Sequence, residues 1–143
     1  MRLPLLLIAL VLAAPAHAQS ADTEAEIDRL WTENGTRLQA GGIDRPAFRL
    51  YHYWSLGQYM IGMCAPHLPE SDVRRWRDWW QDKPLARAPG GPELLEGGTL
   101  AYDAGVADRK RNAMSRDQCL PAVTSWAREF DAVTAMAAAS AKP

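Results

Sequence analysis

Cys64 and Cys119 are the only two cysteines in the chain, and they stand behind an amino-terminal segment with the layout of an export leader. Together these features constrain the fold more than any other. Arg2 supplies a positive start, Leu3 to Ala14 an apolar run, and Pro15-Ala16-His17-Ala18 the small-x-small pattern at which signal peptidase cuts. The run is too short to span a bilayer. Residues 1–18 are therefore expected to be a secretory signal peptide, and residues 19–143 a single helical domain that is periplasmic or secreted. No lipidation cysteine follows the cleavage site, so no membrane anchor is expected.

In an oxidising compartment an even cysteine pair without C-x-x-C spacing reads as one disulfide. The Cys64–Cys119 bridge would close a loop of about 55 residues, which chain entropy values at roughly 4 kcal/mol. The competing reading is a Cys2His2 metal site from Cys64, His67, His52 and Cys119, but its second half lacks ordinary zinc spacing. No metal or cofactor is therefore expected. Loss of Arg2 with the leader moves the formal net charge from −1 to −2, which excludes a general electrostatic footprint for nucleic acid.

The remaining pattern is helical. Thr23 to Ala40 carries Ile27, Leu30, Trp31 and Leu38 on one stripe, with Asp22, Glu24, Glu26 and Asp28 suited to a helix N-terminus and Gly41-Gly42 to its end. Asp44 caps a second helix, Arg45 to about Ala65. Its seam runs through Ala47, Leu50, Trp54, Gly57, Ile61 and Cys64, and apolar residues on most other sides place it in the middle of the fold. A third helix is expected from Pro69 to Asp82. A flexible connector rich in proline and glycine follows, from Lys83 to Pro92.

Glu93 to Asn112 is compatible with a fourth helix despite Gly97, Gly98 and Gly105. Gly98, Ala101 and Gly105 form a small stripe that could approach Gly57 and Gly62 closely. Ser115 and Gln118 form a capping box ahead of a last helix. Val123, Trp126, Ala127, Phe130, Val133 and Ala137 give that helix a clean buried face, with Ala137 to Pro143 fraying. No alternating run argues for a strand. The expected fold is all-α: an irregular antiparallel bundle of about five helices with one disulfide.

No nucleophile elbow, phosphate loop, dinucleotide fingerprint or H-E-x-x-H occurs. His52, Tyr53 and Glu70 are the polar residues on which a cleft-based hydrolase or small-ligand carrier would have to rely. Glu70 also reads as a helix N-terminal acid, and Met60 and Met63 as core rather than haem ligands. The richer segment is Arg74-Arg75-Trp76-Arg77-Asp78-Trp79-Trp80. A helical wheel buries Val73, Trp76 and Trp80, leaving Trp79 at the boundary with Arg75 one turn before it, placed to stack. Trp and Arg are enriched at binding hot spots, so Arg74, Arg75, Asp78 and Trp79 are the expected partner surface.

In size and class the chain is similar to small periplasmic helical proteins such as acid-stress chaperones and secretion-system immunity proteins. That likeness is one of outline and carries no motif. The expected function is non-enzymatic binding of another protein in the cell envelope, with an inhibitor or immunity factor as one concrete form. The alternative is the small hydrolase or ligand carrier.

Overall fold

The computed structural model describes residues 16–140, with side chains from residue 21 onward. Most of the expected leader, and the last three residues of the expected frayed end, lie outside the described residues. Within them the chain forms five α-helices and no strand: α1 (Ala16–Ala40), α2 (Arg45–Cys64), α3 (Glu70–Asp78), α4 (Gly91–Arg111) and α5 (Arg116–Ser140). Short 3-10 turns occupy Ala65–His67 and Pro84–Arg87. The expected all-α bundle with one disulfide is what the chain adopts.

Helix α1 starts earlier than the acidic cluster suggests, because the alanine-rich stretch before Asp22 is itself a good helix former. Asp22, Glu24, Glu26 and Asp28 consequently lie beyond its first turn and act sideways. Glu24 reaches Arg49, Asp28 reaches Arg45, and Glu26 pairs with Arg29. At the other end Gly42 takes φ 78°, and Ile43 N donates to Leu38 O at 2.9 Å while Gly42 N donates to Gln39 O at 2.9 Å. This is a Schellman stop, with Leu38 and Ile43 both buried as its apolar clasp. Asp44 then caps α2 by accepting from Ala47 N at 2.8 Å.

Helix α2 is central, and its contact with α4 is the most extensive among the described residues. The small residues act there as expected. A Cβ on Gly62 would sit 2.2 Å from Tyr102 O, and one on Gly105 2.1 Å from Tyr59 O, so the two backbones touch. Gly57 serves a different helix. Its missing side chain admits the Trp126 ring of α5, whose Nε1 donates to Tyr53 O at 2.8 Å.

The capping box forms as read: Ser115 N donates to Gln118 Oε1 at 2.9 Å, and Gln118 N to Ser115 Oγ at 3.3 Å. Val123, Trp126, Phe130 and Val133 of α5 are buried, and the helix continues to Ser140, past the expected fraying point at Ala137. The Cys64–Cys119 bridge ties the C-terminal end of α2 to the N-terminal end of α5, with both cysteines fully buried. Those sulfurs are bonded to each other, which overturns the Cys2His2 reading. His67 instead hydrogen-bonds Met114 O at 3.0 Å.

Helix α3 stops at Asp78, four residues short of the expected end. The last carbonyls of any helix lack intrahelical partners, and that of Trp76 points into the core. It accepts from Trp54 Nε1 at 2.7 Å and from Gln58 Nε2 at 3.4 Å. The chain then turns, and Trp80, fully buried, stacks on Trp54 with ring centroids 5.4 Å apart. The following segment connects α3 to α4, as expected, but is shorter, because α4 begins at Gly91. It forms the Pro84–Arg87 turn, and Gly90 N donates to Gly41 O at 2.9 Å, fastening it to the end of α1.

Candidate functional site

A groove of about 420 Å³ lies between α3 and α5. Leu68, Trp76, Leu120, Val123 and Ala127 make its apolar surface, and Asp72, Thr124, Arg128 and Asp131 its polar edge. Two independent periodicities build it. On α3, Asp72 and Trp76 are one turn apart and face the same way; on α5, Leu120, Thr124, Ala127 and Asp131 repeat at three and four. This second stripe flanks the buried one, so α5 presents a core face and a groove face side by side.

Trp76 is fixed where it stands. Its ring meets Trp126 edge-on at 5.6 Å, and the Arg75 guanidinium lies 5.1 Å over it. Arg75 also reaches Asp72 at 3.6 Å, a loose and solvent-exposed ion pair. Asp131 and Arg128 form no ion pair among the described residues. The groove therefore offers a rigid indole wall and carboxylates on both helices.

The structure does not gather the four expected partner residues on one surface. Arg74 and Arg75 are exposed on α3, Arg74 bonding Glu70 at 3.1 Å. The expected stack of Arg75 on Trp79 is not formed, because Arg75 lies on Trp76. Trp79 is only half-buried, but its ring packs against Phe130 of α5 at 4.8 Å with Lys83 Nζ 4.7 Å over its face. Asp78 faces the other way, toward a smaller cavity beside α4. Trp76 is buried, as the helical wheel expects, and only its edge reaches the groove; sequence reasoning missed the α5 side altogether. Leu120, an apolar residue outside the main α5 stripe, was the available signal.

The alternative polar residues are also separated. Tyr53 is buried, and its hydroxyl donates to Glu24 Oε1 at 2.9 Å, while Arg49 Nε donates to the same oxygen at 2.8 Å. The Arg49 hydrogen bond holds the Glu24 carboxyl below its usual range, against burial that pushes it up, with Tyr53 assisting. Burial pushes the His52 imidazole below its ordinary value, opposed by Glu26 and Glu24. Glu70 is an exposed acid at the start of α3. Tyr53 and His52 both face Glu24, Glu70 stands apart at the start of α3, and none of the three lines the groove between α3 and α5 or the smaller cavity beside α4. The cluster around Glu24 fastens α1 to α2.

Among the described residues no group of three or more His, Cys, Asp or Glu is placed to hold a metal ion, and no helix is long and apolar enough to cross a membrane. Comparison with protein-family models, with curated proteins and with solved structures finds no match for this chain.

Proposed function

We propose that this is an exported, non-enzymatic protein that binds another protein, receiving an apolar segment with an adjacent cation in the groove between α3 and α5. The groove carries this reading: its surface is apolar, and its edge holds Asp72 and Asp131 on opposite helices, the acceptors that a cation beside an apolar segment would need. An apolar insert would desolvate against the partly exposed Leu68, Leu120 and Ala127, at about 25 cal/mol per Å² of apolar surface removed from water. A lysine or arginine of the partner would find the Asp131 carboxylate without competing for an existing ion pair. The leader-like first residues and the disulfide support a periplasmic or secreted location. An inhibitor or immunity factor acting on a cell-envelope enzyme is one concrete form of such a protein.

Site-specific photocrosslinking in the native cell envelope tests this. A photoreactive residue replacing the exposed Thr124 should give one adduct whose captured peptide is apolar and carries Lys or Arg nearby. Asp131→Lys should abolish that adduct, and a probe at Thr32 on α1 should not produce it. A peptide of a second copy of the chain, equal labelling from Thr32, or no adduct would overturn the proposal.

A further inference from the structure

The smaller cavity, about 130 Å³, opens between α2, α4 and the end of α3, on the far side of α3 from the groove. It approaches the size of an engineered cavity of about 150 Å³ that admits benzene, so a molecule of a few heavy atoms fits. Trp54, Tyr102 and Leu95 supply its apolar walls. Gln58, the one buried polar residue among the described residues, also lines it. A buried carboxamide in a helix otherwise filled with apolar side chains is costly unless its hydrogen-bonding capacity is used. Its Nε2 donates to Trp54 O and Trp76 O at 3.3 and 3.4 Å, both long. Its Oε1 accepts no hydrogen bond from the described residues and is not sealed from solvent, since the Trp80 Nε1 is the buried side-chain polar atom left without a partner among them.

Two charged residues complete the wall. The Asp78 carboxylate is met only by Gln81 Nε2, at the 3.5 Å limit of a hydrogen bond. The Arg77 guanidinium lies 4.2 Å over the Tyr102 ring and forms no ion pair among the described residues. Acceptors at Gln58 and Asp78 call for a cationic donor, and Arg77 for an anion. We propose that this cavity binds a small free α-amino acid. Its ammonium group is taken by Gln58 Oε1 and Asp78, its carboxylate by Arg77, and its side chain lies against Trp54 and Leu95. This site is independent of the α3–α5 groove, and either can fail without the other.

The test is a thermal-shift screen of the mature protein against the twenty free L-amino acids at about 10 mM, followed by calorimetric titration of those that raise the melting temperature. At least one small amino acid should bind with a Kd at or below about 1 mM. Its N-acetyl and its amide derivatives should each lose at least tenfold in affinity. Asp78→Asn and Arg77→Met, both at exposed positions that leave the core intact, should do the same, and Gln58→Leu should abolish binding. Stabilisation by none of the twenty would overturn the proposal. So would binding that survives both Asp78→Asn and Arg77→Met unchanged, or derivatives that bind as well as the parent amino acid.

Discussion

The α2–α4 contact and the attachment of α3 hold helices together in opposite ways. Between α2 and α4 the missing side chains of Gly62 and Gly105 bring backbone against backbone, leaving no atoms that could repack. Helix α3 has only nine residues and touches α2 over a small area. It is held by large side chains: Trp76 against Trp126, Trp79 against Phe130, and the Trp54 indole on the Trp76 carbonyl. The first contact makes a fixed frame. The second makes an element whose position depends on a few aromatic residues, and that element borders both concavities.

The largest expected effect removes the residue that serves both regions. Trp54 abuts Gly98 of α4, stacks on Trp80 and caps the end of α3. Trp54→Ala should destabilise the fold by about 3–5 kcal/mol in denaturant titration, through lost burial and a cavity. A change below about 1 kcal/mol would mean that α3 is not anchored through this indole.

Gly105→Ala probes the frame alone. A Cβ there meets backbone rather than a movable side chain, so α2 and α4 must separate, at about 1–3 kcal/mol. Gly35→Ala is the matched control. Its Cβ would meet only the half-buried Trp31 ring, at 3.0 Å, which can shift, and the loss should be smaller. Equal losses would erase the distinction between backbone and side-chain contact.

The Glu24–Arg49–Tyr53 cluster is a third kind of attachment, partly exposed and charged. Glu24→Gln should cost about 1 kcal/mol at pH 7, the lower end for a charge-assisted hydrogen bond because solvent screens it. Since folding lowers the Glu24 pKa from 4.5, its contribution is present above that value and is lost as the pH falls through the folded-state pKa. The difference between wild type and variant, read by denaturation across pH 3–7, should therefore close in acid. A gap that does not narrow as the pH falls below 4.5 would locate the effect in packing instead. The depressed His52 pKa acts in the same direction, withdrawing stability as the pH falls below 6.5.

Arg75→Ala should have the smallest effect, within about 0.5 kcal/mol, because its ion pair and its stacking on Trp76 are at the surface. Trp79→Ala should cost distinctly more by removing the contact with Phe130. The reverse ranking would restore Trp79 as the exposed residue of the pair.

The frame was legible in the sequence because its signals are local or periodic. Asp44, Gly42, and the Ser115 and Gln118 pair mark helix ends by their own chemistry. Small residues spaced at three and four on two helices announced close approach, although which glycine met which helix required the tertiary arrangement. Helix α3 was harder. The wheel buried Trp76 and Trp80 correctly, but it assumed a helix running to Asp82. What ends the helix is a carbonyl captured by Trp54, 22 residues away in sequence, a contact no local pattern records. Gln58 was equally visible and unused: a polar residue within an apolar helix points to a buried hydrogen bond, and one of its two acceptors, the Trp76 carbonyl, lies on another element.

Native-state hydrogen exchange of the mature, disulfide-bonded protein tests the two-part construction most directly. Amides in the middle of α2 and α4, around Gly62 and Gly105, should exchange only through global unfolding. Those of α3 should exchange through a local opening of clearly lower free energy that leaves α2, α4 and α5 protected. Trp54→Ala should bring α3 to near-complete exchange before the frame responds. Protection of α3 equal to that of α2 and α4 would contradict the account, showing one cooperative bundle in which the short helix is as fixed as the backbone contact behind it.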